Sequence, residues 1–248
     1  MPRFFIDSPV KQNSAENFTF LIDGENGRHI ARSLRMKVGD KLTLCDGNGT
    51  DYQCEIQSFN GDIVTAALLF SEPNRTEPET KIRLYQSFPK GDKLESIVQK
   101  ATELGITAVT PVESRRCILK FTDKNAEKKQ LRLQKIAHEA AKQSGRGIVP
   151  QVHAPLSFPK AIEEAAAFGD ILFFYELGGV PLSDVLPQTT NRISVFVGPE
   201  GGYSEEETQL AIESGAKICT LGRRILRAET APLAALSVIL FAKGDMCL

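Results

Sequence analysis

Histidine is scarce in this chain of 248 residues, and its cysteines are unpaired in sequence. Three histidines and five cysteines (Cys45, Cys54, Cys117, Cys219 and Cys247) are widely scattered, with no Cys-x-x-Cys pair. That scatter excludes the usual ligand spacings of a metal site, and the odd number excludes a fully paired disulfide framework. No metal is expected, and the thiols are expected to be reduced. Long apolar runs are also missing: the longest nearly apolar stretch, Ala231 to Ala242, is too short to span a bilayer. The opening Met1-Pro2-Arg3-Phe4-Phe5 lacks the apolar core and small-residue cleavage site of a secretory signal. A soluble, cytoplasmic protein with no membrane partner is expected. Both the Gly-x-x-x-x-Gly-Lys-Ser/Thr pattern and a Gly-x-Gly-x-x-Gly turn after an early strand are absent, which argues against nucleoside-triphosphate enzymes and the usual dinucleotide fold. The formal net charge is only −1, which argues against indiscriminate coating of nucleic acid.

What charge there is lies unevenly. Between Arg115 and Arg146 ten Lys or Arg face three acids, a local excess of +7. Such a patch on a neutral protein suits a selective polyanion such as RNA, or else is an ordinary solvated helix face. Residues 1–72 read as short strands and tight turns, as in Phe18 to Ile22, Lys41 to Cys45, Tyr52 to Ile56 and Ile63 to Ala66, and predict a small β-barrel. One helix-like piece, His29 to Met36, interrupts them. Around it Arg28, Arg32 and Arg35 fall on one stripe, which either meets a phosphate backbone or keeps the helix soluble. Residues 73–80 are rich in proline and charge and predict an exposed linker. From 81 to 248 strands and helices alternate, which predicts a mostly parallel sheet covered on both faces, an α/β domain. Its first helix carries Asp92 and Glu95 at capping-box spacing and ends at Gly105; a long basic helix is expected from about Asn125 to Ser144.

Two glycine-bearing loops stand out. Gly198-Pro199-Glu200-Gly201-Gly202 and the segment from Leu221 to Thr230 each follow a β-branched run and each open a helix, so they can wall two sides of one small-molecule pocket at the carboxyl edge of the sheet. Ser204 and Glu207 form a capping box at the start of the next helix, and Glu205, Glu206 and Glu207 load its first turn with negative charge. A phosphate is therefore disfavoured there, and a neutral or cationic ligand is expected. Thr230 is the expected N-cap of the final helix. That helix is apolar all round, so it is either buried in one subunit or covered by a second copy.

Gly198 to Gly202, together with Leu221-Gly222-x-x-Ile225-Leu226-Arg227-x-Glu229-Thr230, closely resemble the paired signatures of the RsmE family, SPOUT-class methyltransferases acting on a 16S ribosomal RNA uridine. The likeness extends through His29-Ile30-x-Arg32-x-Leu34-Arg35-Met36, Lys90-Gly91-Asp92-Lys93-Leu94-Glu95, Gln99 to Gly105 and Gln143-Ser144-Gly145-Arg146. The resemblance implies a PUA-like N-terminal barrel, a C-terminal α/β domain tied in a trefoil knot, and a homodimer. It further implies that S-adenosylmethionine is used to make N3-methyluridine in 16S rRNA of the 30S subunit. By position it implies cofactor contacts from Leu177, Gly198, Pro199, Glu200, Gly201, Leu221, Gly222, Ile225 and Leu226. RNA contacts are expected from Arg28, Arg32, Arg35, Arg116, Lys142 and Arg146. Arg227 is the candidate to stabilise negative charge on the uracil, and Glu229 is a candidate base; alternatively both only shape the loop. Rival readings are a SPOUT enzyme acting on a transfer-RNA base or a ribose hydroxyl, and a non-catalytic RNA-binding protein.

Overall fold

Parallel strands buried on both faces form the centre of the larger part of the chain. In the computed structural model, which describes residues 1–6, 11–12, 18–118 and 123–246, eight strands run parallel. Their order is Leu156–Ser157, Ala108–Glu113, Lys81–Ser87, Arg192–Val197, Asp170–Phe174, Lys217–Thr220 and Val180–Pro181, with Gln151–Val152 paired to Ala108–Glu113. Ile193 to Val197 are all buried, as expected where helices cover both sides of a sheet. On one face pack the helices Lys93–Leu104 and Ala231–Ala242, joined by Leu133 and Ala137 of the long helix Asp123–Gln143. On the other lie the helix Phe158–Phe168 and an aromatic layer of Tyr85, Phe158, Phe173, Phe196 and Tyr203. Within it Tyr85 stacks on Phe196 at 4.6 Å between ring centroids.

Helix 93–104 shows how local sequence sets an element. Leu94, Ile97, Val98 and Ala101 recur at helical spacing and are buried, and Gly105 ends the helix at φ 104°. The capping box expected at its start does not form: Asp92 makes no side-chain cap bond, and Glu95 instead accepts from Arg132 at 2.8 Å. Thr230 likewise makes no side-chain cap bond. The box at Ser204 does form, Glu207 Oε2 accepting from the Ser204 amide (2.9 Å) and Ser204 Oγ from the Glu207 amide (3.2 Å).

The chain divides into two compact units, 1–77 with 141–148, and 78–140 with 149–248. The first holds a six-stranded sheet in the order Arg3–Phe5, Lys41–Cys45, Thr50–Asn60, Ile63–Pro73, Phe18–Ile22 and Lys11–Gln12. Register shifts at Gln53/Cys54 and Ile56/Ser58 bend its longest pair. Phe4, Phe20, Ile30, Leu42, Leu44 and Ile56 fill its core. The piece expected as one helix from His29 to Met36 is instead a short helix Gly24–Arg28 running into a π-helical turn His29–Ser33. That wider turn breaks the stripe. Arg28 and Arg32 both reach Asp62, at 3.6 and 2.7 Å, while Arg35 lies beyond the turn at φ 50° and Leu34 is exposed. The segment 73–80 is not a solvated spacer throughout, because Glu77 and Thr80 are largely buried. Lys120 and Cys247 lie outside the described residues.

Candidate cofactor cavity and its rim

The neighbouring strands 170–174, 192–197 and 217–220 end level with one another. Phe174 pairs with Val197 on one side and with Cys219 on the other, so these three residues form one rung from which three loops leave in the same direction. A ligand crevice belongs at such a carboxyl edge. It is present as a cavity of about 540 Å³ in the second unit, floored by Phe174, Val197 and Cys219 and walled by Tyr175–Glu176, Gly198–Gly202 and Thr220–Ala228. That volume is typical of a small-molecule site. Burial pushes the Cys219 thiol up to about 11, so the floor is uncharged.

Backbone shapes much of the wall. Gly202 has φ 66°, and a Cβ there would collide with the Glu176 carboxylate, which is thereby placed in the cavity wall. Gly222, at φ 104°, turns the second loop. Below the first loop the fully buried Gln86 lies opposite Val197, and its Nε2 donates to the carbonyls of Ser87 (3.0 Å), Val197 (3.3 Å) and Gly198 (3.5 Å). Arg116 Nη1 donates to the Gly201 carbonyl at 2.8 Å. These bonds fix the loop at its base.

Charge in the cavity is mixed. Glu176 and Glu200 supply carboxylates, and Lys93, Arg223, Arg224 and Arg227 supply cations. Burial alone would raise the Glu200 carboxyl, yet the Lys93 ammonium (2.8 Å) and the Lys90 amide (3.1 and 3.2 Å) hold it below the usual carboxylate range. Glu229 is lowered by its own backbone amide and then by Lys93, whose Nζ lies 3.1 Å away in an ionic contact that lacks hydrogen-bond alignment. Arg223, Arg224 and Arg227 are exposed and, among the described residues, have no hydrogen-bonded or ion-paired side-chain partner. They are cations ready for an anionic ligand.

Of the expected cofactor residues the structure gathers Gly198, Pro199, Glu200, Gly201, Leu221, Gly222, Ile225 and Leu226 around this cavity, with Arg227. Leu177 is not part of the wall; its place is taken by Tyr175 and Glu176, and Leu177 is exposed. The acidic helix start does not face the cavity either. Glu207 caps its own helix and accepts from the Arg115 amide at 2.7 Å, and Glu206 pairs with Arg115 at 3.0 Å. The carboxylates that do line the cavity are Glu176 and Glu200. Five of the six expected RNA contacts are engaged within the protein: Arg28 and Arg32 on Asp62, Arg116 on Gly201, Lys142 over the Phe4 ring (4.8 Å) and Arg146 on Glu77. Sequence reading assigned no site role to Lys93, Arg223 or Arg224, although Lys93 stood in a quoted motif and the two arginines follow Gly222 in the second loop. Gln86 carried no signal, being one polar residue in a strand. Among the described residues no cluster of His, Cys, Asp and Glu could hold a metal ion, and no helix is long and apolar enough to cross a membrane.

Comparison with known proteins agrees with this geometry. Residues 76–240 match the model of an RNA methyltransferase domain, and residues 22–69 that of an RNA methyltransferase PUA domain. The chain is 40% identical, over 96% of each sequence, to ribosomal RNA small subunit methyltransferase E of Bacillus subtilis. It superposes with a TM-score of 0.87 on the enzyme of that name from Neisseria gonorrhoeae, solved bound to S-adenosylmethionine (33% identity, 98% of each chain). A methyltransferase from Legionella pneumophila, also with that cofactor bound, gives a TM-score of 0.85 at 29% identity, covering 97% of each chain.

Proposed function

The chain belongs to the RsmE family of small-subunit ribosomal RNA methyltransferases, and on that premise we propose that it methylates N3 of one uridine in 16S ribosomal RNA within the assembled 30S subunit, as a cytoplasmic homodimer. The methyl donor is S-adenosylmethionine. The resemblance also implies that residues 81–248 carry the trefoil knot, and we include it in the proposal.

One observation carries the reading: three level strand ends present a glycine-shaped cavity that has carboxylates in its wall and unpaired arginines lining its second loop. When bound, the cofactor supplies an electrophilic methyl on a positive sulfonium. The residues present fit it. Glu176 and Glu200 favour positive charge, Phe174, Val197 and Cys219 offer an apolar floor, and no phosphate cradle is built. Gly198, Gly201 and Gly202 leave backbone exposed along one wall.

The acceptor nitrogen lies on the Watson–Crick edge of uracil, so the base must be unpaired or splayed out before it reaches the cavity. Arg223 and Arg224 are placed to receive its flanking phosphates. Arg227 then hydrogen-bonds a uracil carbonyl oxygen and stabilises the negative charge that develops as N3 loses its proton. Glu229 fits poorly as the base, because its own amide and Lys93 hold it ionised at a lowered basicity. It is better placed as a partner of Lys93, with the proton leaving to solvent.

Calorimetric titration with S-adenosylmethionine and nucleoside mass spectrometry of treated 30S subunits test the reading. Saturable heat and N3-methyluridine are expected. A silent titration would indicate a non-catalytic RNA-binding protein, and a ribose-methylated product would replace the acceptor.

A further inference from the structure

We propose that Lys93 is a positioning residue that straps the two cavity loops together, so that the loop receiving the cofactor and the loop presenting Arg227 act as one body. The inference rests on the methyltransferase reading for the identity of the cofactor. Lys93 opens helix 93–104 just after Gly91, whose φ of 67° turns the chain toward the cavity. Its ammonium lies 2.8 Å from Glu200 Oε1 on the first loop and 3.1 Å from Glu229 Oε2 on the second. Among the described residues it is the one side chain whose ion pairs reach both loops. The strap is anchored at each end. Glu200 also accepts from the Lys90 amide, so the turn 90–93 grips its carboxylate from two directions. Beyond Arg227, whose carbonyl accepts from the amides of Thr230 (2.8 Å) and Ala231 (2.9 Å), the second loop runs into helix 231–242, which packs against helix 93–104.

A role in folding stability does not explain this arrangement. All three side chains keep roughly a third of their surface exposed, and ion pairs so placed contribute little to folding. The geometry has its effect on the loops. Without Lys93, Glu200 on the first loop and Glu229 on the second would be left as two like charges with no shared counter-ion, and the loops would be free to part. Glu229 does not itself line the cavity, so any effect of Glu229 on cofactor binding must pass through the strap.

The experiment uses the full-length protein as wild type, Lys93→Met, Lys93→Arg and Glu229→Gln. Three quantities are measured: S-adenosylmethionine affinity by calorimetry without RNA, kcat on 30S subunits at saturating cofactor, and the unfolding midpoint without ligand. For Lys93→Met a Kd raised about tenfold and a kcat lowered about tenfold are expected, a coupling of ordinary size between sites. The midpoint should move by less than about 3 °C, and Lys93→Arg should restore both constants to within about threefold. Glu229→Gln should weaken cofactor binding by a similar factor, which tests the strap from its other end should Lys93→Met fold poorly. An unchanged Kd in Lys93→Met or Glu229→Gln, or a wild-type kcat in Lys93→Met at saturating cofactor, would overturn the strap. If wild type itself neither binds the cofactor nor transfers a methyl group, it is the methyltransferase reading that fails.

Discussion

At the scale of single residues, arginines divide into those held by partners within the protein and those left for a ligand, and the division sets what each substitution should do. Arg227 belongs to the second class. Its guanidinium offers a fixed fork of donors that a lysine cannot copy, so Arg227→Lys should lower kcat about a hundredfold while the calorimetric cofactor affinity stays within about twofold. Retained turnover would remove Arg227 from the chemistry. Arg146 belongs to the first class. It donates to both Glu77 oxygens, at 2.6 and 3.2 Å, and the same carboxylate accepts from the Gly147 and Ile148 amides. Arg146→Ala would leave that carboxylate buried without its counter-charge and should cost about 3–5 kcal/mol in denaturant unfolding. A loss below about 1 kcal/mol would contradict this. Residue types along the chain distinguish these classes poorly. Asp62 lies thirty residues from Arg32 and Glu77 lies sixty-nine from Arg146, so their engagement follows from tertiary contact alone.

Elements and their loops carry the next set of effects. Gly202 combines a left-handed φ with contact against Glu176, so Gly202→Ala must shift either the loop or the carboxylate, and cofactor Kd should rise at least about tenfold. An unchanged Kd would show that the loop adapts freely. The Lys93 cluster also has a defined pH window. Glu200 and Glu229 are depressed below their ordinary 4.5, so their ionic contribution is complete above that value and is lost as pH falls through the lowered one. Lys93 is raised above 10.5 chiefly by Glu200 and then Glu229, so its contribution is complete below 10.5 and is lost as pH rises past the raised value. The ratio of cofactor affinities between wild type and Lys93→Met should therefore be constant from about pH 5.5 to about pH 9.5, because both proteins share the titrations of the cofactor itself. A ratio that changes inside the window would place another group in the contact. Elements were legible from local chemistry: β-branched runs mark the strands, apolar spacing marks helix 93–104, and Gly105 marks its end. The π-turn at His29–Ser33 was not, since its residue types suit an ordinary helical turn equally well and its closing bond, from the Leu34 amide to the His29 carbonyl, is a matter of backbone alone. Loops were legible as glycine patterns, whereas the level rung of Phe174, Val197 and Cys219 arises from strand order, which no single segment encodes.

For the whole molecule, the proposed dimer follows from the last helix. Ala235, Leu236, Ile239 and Leu240 are buried in the subunit, while Val238 and Phe241 are exposed, the latter by 68%. Exposed apolar groups on an already packed helix fit a second copy. Phe241→Asp should shift the mass measured by light scattering from dimer to monomer with the fold retained; a wild-type monomer at micromolar concentration would refute the pairing. Composition and alternation pointed to the α/β class, and the paired loop signatures pointed to the family, but the chain's partner surfaces needed coordinates, because they combine side chains far apart in sequence. The central claim is that level strand ends hold a methyl donor beside Arg227 and deliver its methyl to an exposed uridine. It is tested most directly by incubating the pure protein with labelled S-adenosylmethionine and 30S subunits from a strain lacking this activity, then mapping the label. The account predicts about one methyl per subunit, at N3 of a single 16S uridine. Label on a ribose, on another base or on no RNA at all would contradict it.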